Sequence, residues 1–328
     1  MDIPAADAGG PTPEDSLTPV QRETLDRLAA RREDRPVFPD GLRDELRAAL
    51  EADVAGPLTA LPDGETLFVS KHALATVHAC EARWHADHLD RGFEASPAVV
   101  QGAVAHKAIE LTLNRRAPAT PGELVDTAID RLAGSDRWMS DWLRDCDEDD
   151  RAEVRAAAVA RVTSFADVWP PLKPAWRPVT EQSLRAELGK GRVILSGRVD
   201  LSLGKADGMR AGKVVVDFKT GAFALHHLDD LRFYALVETL RTGVPPRALA
   251  TSYLDSGRLH VEAVTEALLD ATAARTADGV SRMIGILHAG DEATRRPSGA
   301  CRWCRVRATC PPGLAHVADL DAGFDLDR

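Results

Sequence analysis

The sequence predicts an α/β (α+β) protein: a helical N-terminal half, then a mixed central sheet flanked by helices, then a cysteine-bearing tail. Three observations carry this expectation. Helix-forming Ala, Leu, Arg and Glu dominate up to about residue 168 and recur in apolar stripes. After "WPPLKPAWRP" the pattern changes to apolar runs and alternations bounded by Gly-rich turns, which is strand patterning. Finally, three of the five cysteines crowd the short segment "CRWCRVRATC".

Taken in order, residues 1–16 are rich in Pro, Gly, Ala and Asp and read as a disordered leader. Residues 17–69 form an N-terminal helical segment, with helices near 19–32 and 41–53 separated by the breaker-rich "REDRPVFPDG". Residues 70–175 form a second helical region. There Ser70 N-caps a helix through about residue 89, with Leu74, Val77 and Trp84 on one stripe. Another helix starts after Pro97 and runs to about Asn114, and 122–133 and 148–168 are helical, with the acidic "DCDEDD" as a solvated junction. Residues 176–290 supply the sheet core: strands at 179–188, 192–203 and 213–219, a helix at 227–242, strands at 247–254 and 258–262, and a long helix at 264–289. Residues 291–328 are the cysteine tail.

A chain of 328 residues can bury a sizeable core, and its net charge of −10 argues against a generally adhesive nucleic-acid binder. Charge is nonetheless segregated. Arg295, Arg296, Arg302, Arg305 and Arg307 fall in one stretch with no acid among them. No apolar run approaches the roughly 20 residues of a membrane span, and the acidic N-terminus lacks an apolar signal core, so a cytoplasmic protein with no membrane partner is expected. No Gly-x4-Gly-Lys-Ser/Thr motif is present, which excludes a recognisable helicase motor of the chain's own.

Two central strands can be registered from parity. Val193, Leu195, Val199, Leu201 and Leu203 put odd numbers toward the core; Val214, Val216 and Phe218 put even numbers there. "KADG" supplies the turn. Setting 199 opposite 218 also sets 201 opposite 216 and 203 opposite 214. The same register puts Asp200 opposite Asp217 on the face away from the main core, with Lys219 on that face. Directly opposed residues have Cβ atoms about 4.5–5.5 Å apart, where like charges repel. A divalent cation between the acids would reverse the sign; a solvated sheet face would carry the same alternation without one.

"SGRVDLSLG" followed by "VVVDFKTG" resembles the core signature of the PD-(D/E)XK nuclease superfamily, specifically its RecB-like branch. The resemblance implies a restriction-endonuclease-like core in which Asp200, Asp217 and the Phe218 carbonyl hold Mg²⁺ or Mn²⁺ and Lys219 orients water or stabilises the transition state. Hard oxygen ligands suit such ions, which activate water and neutralise phosphate. "QGAVAHKAIE" resembles the helix that contributes a metal-binding histidine, which would be His106, with Glu110 on the same helical face. "DLRFY" resembles the Gln-x-x-x-Tyr helix, with Tyr234 in place as a substrate- or site-positioning residue. Asp230 departs from the glutamine; an acid cannot donate as an amide does, and it repels phosphate.

The cysteines form C-x2-C-x5-C at Cys301, Cys304 and Cys310, a spacing that in a reducing compartment holds a metal or cluster. Cys80 can fill the fourth position. From spacing, a Cys₄ zinc site and a [4Fe–4S] cluster are equal candidates. "ACEARW" resembles the early Cys-Pro-x-x-aromatic segment of iron–sulfur RecB-like nucleases, the subgroup that includes AddB and the CRISPR-adaptation exonucleases, although Glu81 replaces the proline. That resemblance implies a [4Fe–4S] cluster on Cys80, Cys301, Cys304 and Cys310, stapling the helical half to the tail. Cys146 is expected to be a lone, half-buried thiol. Arg302, Arg305 and Arg307 could contact a DNA backbone, and Trp303 could stack on a base or pack over the cluster.

The expectation is therefore a metal-dependent DNA nuclease, an exonuclease by family analogy, in DNA repair, recombination or related processing. Its partners would be DNA single strands or ends, with a helicase or another DNA-processing protein. The competing expectation is a catalytically weak or inactive DNA-binding or assembly subunit that keeps the fold and a cluster or zinc staple.

Overall fold

The computed structural model describes residues 17–90, 96–114, 118–135 and 139–326; the leader expected at 1–16 lies outside them. Within them the chain forms helices α1 (Pro19–Leu28), α2 (Leu42–Leu58), α3 (Lys71–Ala79), α4 (Glu81–Leu89), α5 (Pro97–Asn114), α6 (Pro121–Ala133), α7 (Met139–Asp145) and α8 (Glu148–Val168) before the main sheet. Strands β2 (Val179–Leu188), β3 (Val193–Leu203) and β4 (Val214–Lys219) follow, then α9 (His226–Thr242), β5 (Ala248–Tyr253), β6 (Arg258–Ala263), α10 (Glu266–Ile284) and α11 (Pro311–Leu326). β1 (Leu67–Val69) precedes α3 and was not expected: three residues are too few to display an alternation.

The six strands form one mixed sheet in the order β1-β3-β4-β5-β6, with β2 also on β3. β2 occupies one edge of β3 antiparallel along nearly its whole length. The other edge is shared: β1 pairs parallel with Val193–Leu195, and β4 pairs antiparallel with Leu201–Leu203. β4 and β5 are parallel, joined by the crossover helix α9.

The parity register holds for Leu201 opposite Val216 and Leu203 opposite Val214. The ladder ends there, so Val199 and Phe218 are not a bridged pair. Instead the Phe218 N–H donates to Asp200 Oδ2 at 2.7 Å, and a side chain satisfies the backbone group that the ladder leaves.

Helices cover both faces of the sheet. Val193, Leu195, Val199 and Val215 join a core with α2, α3, α9 and α10. Leu201, Leu203, Val214, Val216 and Phe218 join another with α5, α6 and α8. The odd positions of β3 are thus buried as expected, but they serve two cores. The face of β4 expected to lie away from the core is also covered. Asp217 is only 2% exposed, because α3 and α9 close over it.

A single helix from Ser70 to about residue 89 was expected; the structure breaks it at Cys80. Ser70 caps α3 by accepting the Ala73 N–H at 3.1 Å. Cys80 is extended at φ −162°, ψ 110°, and ends α3 while starting α4. The break frees a first-turn amide of α4, and Ala82 N donates to Thr294 O at 3.0 Å. No helix among the described residues is long and apolar enough to cross a membrane.

Candidate active site

The C-terminal end of β4 is where the two helical layers meet. Val214, Val216 and Phe218 anchor the strand, and Phe218 packs edge-on against Phe165 and Trp169. Asp217 and Lys219 point to the α3/α9 side. Across β3, Asp200 holds the Phe218 amide with one oxygen and meets His106 Nδ1 of α5 at 3.5 Å with the other. Four residues singled out in the sequence therefore converge: His106, Asp200, Asp217 and Lys219. Glu110, one turn beyond His106, lines the same cavity as His106 and Asp200 and pairs with Lys107 at 2.7 Å.

Asp217 is faced by two ammonium groups. Lys71 Nζ donates to Oδ1 at 2.8 Å, and Lys219 Nζ lies 3.0 Å from Oδ2. The second contact is an ion pair without hydrogen-bond alignment, which leaves the buried Oδ2 without a hydrogen-bond partner. Burial pushes the Asp217 carboxyl up, but Lys71 and Lys219 together outweigh it and hold the group down at about 2. Burial alone would lower Lys71, yet Asp217, with Tyr234 and Asp230 behind it, raises that ammonium well above its usual range. His106 behaves likewise: burial depresses it, and Asp200 more than compensates, so the imidazole is raised.

Asp230 and Tyr234 lie on α9, both buried. Asp230 Oδ2 accepts from Lys219 Nζ at 2.8 Å. The Tyr234 ring lies 4.7 Å below Lys71 Nζ, and burial pushes its hydroxyl up to about 12. The acid at 230 is therefore matched by cations rather than left facing the cavity.

Two residues of this site were missed in the sequence. Lys71 carries no spacing signal; it follows an N-cap serine, and only the packing of α3 over β4 brings it to Asp217. Glu181 did have a signal. The β2–β3 register pairs Thr180 with Leu201 and Gln182 with Val199, so Glu181 falls opposite Asp200. Parity applied to that first hairpin would have found it. Glu181 has φ +51°, a left-handed conformation rare for a residue with a Cβ, and it lines the cavity with His106 and Asp200. Burial and then the Asp200 charge raise its carboxyl.

These groups supply carboxylate and imidazole donors suited to a hard divalent ion. Asp217 Oδ2, buried and met by the Lys219 ammonium without hydrogen-bond alignment, is an acceptor that such an ion would satisfy. Among the described residues no three His, Cys, Asp or Glu side chains form a ready-made metal cage; at this site the lysines stand among the acids.

The three cysteines of the tail motif and the upstream Cys80 come together. Cys80, Cys301, Cys304 and Cys310 line one cavity at the α3/α4 break. Gly313 closes it; a Cβ there would sit 3.3 Å from Cys310 Sγ and 3.5 Å from Cys301 Sγ. The four thiols that line this space are the donor type of a thiolate-bound metal or cluster, but they are not drawn together into a ligand cage. Glu81, at the position where a proline was expected, clamps the tail: Oε2 accepts from Thr294 N at 2.9 Å and Thr294 Oγ1 at 2.7 Å, and Oε1 from Arg282 at 2.6 Å. Cys146 stands apart, half-buried, with its thiol 3.7 Å from Leu143 O.

Of Arg302, Arg305 and Arg307, the first two meet acids from other elements. Arg302 pairs with Asp321 at 2.6 Å, Arg305 with Asp90 at 2.9 Å, and Arg307 donates to the Arg302 carbonyl at 3.2 Å. Exposed pairs of this kind are weak and exchangeable. Trp303 is 78% exposed, so of its two expected roles it does not pack over the thiols.

A family model of the PD-(D/E)XK nuclease superfamily matches residues 69–311. Among solved structures, the chain is similar to a candidate exonuclease from Eubacterium rectale at 13% identity and TM-score 0.44, over 78% of this chain and 91% of that one. It is also similar to SSO0001 at 18% identity and TM-score 0.29, over 64% of this chain and 95% of that one. No curated protein sequence matches. The mixed six-stranded sheet between helical layers is the restriction-endonuclease-like architecture expected from the sequence.

Proposed function

Because the chain belongs to the PD-(D/E)XK nuclease superfamily, we propose that it is a divalent-metal-dependent deoxyribonuclease of the RecB-like iron–sulfur branch, acting as an exonuclease on DNA ends or single strands. The observation that carries this reading is the convergence of His106, Asp200, Asp217 and Lys219 at one end of β4. Asp200, Asp217, His106 and the Phe218 carbonyl would hold Mg²⁺ or Mn²⁺. Bound there, the ion would activate water and offset the charge that develops on phosphate. Lys219, held by Asp230 at 2.8 Å, is positioned to orient the attacking water or to face a phosphoryl oxygen. Tyr234 supports the site from below, through its ring against Lys71.

Cys80, Cys301, Cys304 and Cys310 would carry a [4Fe–4S] cluster that joins the α3/α4 break to the tail. Arg302 and Arg305 would add backbone contacts by exchanging their acidic partners for phosphates, and Arg307 by leaving the Arg302 carbonyl. A cytoplasmic role in DNA repair, recombination or related processing, alongside a helicase or similar protein, fits these parts. The chain would divide into the leader, two helical segments, a nuclease core at 176–290 and a cysteine tail. The alternative, a catalytically weak or inactive DNA-binding or assembly subunit, draws on Asp230 and on the acidic balance of the chain; against it stands the pairing of Asp230 with Lys219 at 2.8 Å.

The decisive assay is cleavage of end-labelled single- and double-stranded DNA with Mg²⁺ or Mn²⁺. The parent is expected to cut only with metal, and Asp217→Asn and Lys219→Ala to lose at least 100-fold in rate, of the order that charge stabilisation and water activation supply. Undiminished cutting by either variant would sink the assigned site. Anaerobic purification with an absorption spectrum and metal analysis tests the tail; zinc without iron would remove the cluster.

A further inference from the structure

Asp217, Lys219, Asp230 and Lys71 form a closed ring of alternating charge. Lys71 Nζ lies 2.8 Å from Asp217 Oδ1 and 3.8 Å from Asp230 Oδ2; Lys219 Nζ lies 3.0 Å from Asp217 Oδ2 and 2.8 Å from Asp230 Oδ2. Both carboxylates are nearly sealed from water, at 2% and 7% exposure, so solvent screens little of this. Deleting Lys71 leaves two buried acids on one ammonium. Deleting Asp230 leaves two ammoniums on one acid. Deleting both leaves the neutral Asp217–Lys219 pair.

We propose that Lys71 and Asp230 are a charge-compensated pair of positioning residues that tunes the site's balance between its divalent cation and the phosphodiester. This rests on the nuclease reading above and deepens it. Asp230 holds Lys219 from behind, as a neutral amide could not do with equal strength, and adds one negative charge to a site that must admit a phosphodiester. Lys71, delivered by the first turn of α3 and seated on the Tyr234 ring, cancels that charge. The acid on α9 and the lysine on α3 thus belong together. Each alone would tilt the site: toward the cation if only the acid were present, toward phosphate if only the lysine were.

The test is Mn²⁺ binding followed by electron paramagnetic resonance in the absence of DNA, on the full-length protein. Lys71→Met removes a competing positive charge and should tighten Mn²⁺ by about tenfold; Asp230→Asn should weaken it by about tenfold, as unit charges a few ångströms away require. Lys71→Met/Asp230→Asn should return within about threefold of the parent, because the two changes cancel. KM for a single-stranded oligonucleotide should move oppositely, rising in Lys71→Met and falling in Asp230→Asn. Lys71→Arg keeps the charge and should keep the parental Mn²⁺ affinity, which separates charge from packing if Lys71→Met unfolds. Shifts of the two single variants in the same direction, or a double variant displaced by more than either, would overturn the pair. Asp217→Asn is the control for the underlying reading: unchanged Mn²⁺ binding there overturns the metal site itself.

Discussion

The Tyr234 ring occupies the place where a side chain at Gly197 would stand: a Cβ on Gly197 would lie 2.3 Å from Tyr234 Cε1. The glycine of "SGRVD" and the tyrosine of "DLRFY" are therefore one contact, made between β3 and α9. Gly197→Ala forces a rigid ring to move in a packed layer. It should destabilise the protein by about 1–3 kcal/mol, seen as a lower denaturant midpoint with an unchanged slope. Because Tyr234 also supports Lys71, the variant should cleave more slowly even where it is fully folded. Parental stability would show that the ring is not held as described.

The clamp at Glu81 gives a second prediction. Its carboxylate is 7% exposed and accepts from Thr294 twice and from Arg282 once. Burial raises this carboxyl, but the Thr294 and Arg282 hydrogen bonds win and lower it. Glu81→Ala leaves those donors unmatched and should cost about 1–3 kcal/mol. It should also loosen the segment between α10 and the cysteines, so that Thr294 loses hydrogen-exchange protection while the β4 amides keep theirs. Equal loss at both places would mean that Glu81 acts on global stability alone.

His227 gives the pH prediction. Burial, then the Lys219 ammonium and neighbouring His226, depress its imidazole to about 4. An unfolded chain carries an ordinary histidine near 6.5. Between these values the unfolded state binds the extra proton, so stability falls as pH drops from about 6.5 to 4 and then levels for this group. His227→Gln should flatten that part of the stability curve. A histidine titration by nuclear magnetic resonance should put the His227 midpoint near 4; a midpoint at or above 6.5 would contradict the placement beside Lys219.

The sequence carried the hairpin because strand parity is a local property: Val214, Val216 and Phe218 declare the face, and Asp217 and Lys219 follow from it. It pointed to the α5 histidine through the resemblance of "QGAVAHKAIE" to a family helix, and to the cysteine grouping through motif spacing. It could not show that both faces of β4 are covered, because burial of Asp217 depends on α3, which lies some 140 residues earlier in the chain. Lys71 was invisible for the same reason. The helix break at Cys80 was hidden differently. Residues 70–89 have helical composition throughout, and the amide freed at the break is satisfied by a tertiary bond, from Ala82 N to Thr294 O.

Glu181 provides the sharpest separation of stability from function. At φ +51° any residue with a Cβ is strained by roughly 1–2 kcal/mol, and glycine is not. In an ordinary strand position alanine is the more stable of the two small substitutions. Here the order should invert, with Glu181→Gly more stable than Glu181→Ala by about 1 kcal/mol. Both variants lose the carboxylate that faces Asp200 and the 3.3 Å pair with Arg198, which is exposed and contributes little. Both should therefore lose metal-dependent cleavage to the same extent, despite their different stabilities. Paired denaturation and cleavage measurements read the two effects independently. If the glycine variant were the less stable, the left-handed backbone at 181 would be refuted; if both cut DNA like the parent, the strain would serve packing and not the site beside Asp200.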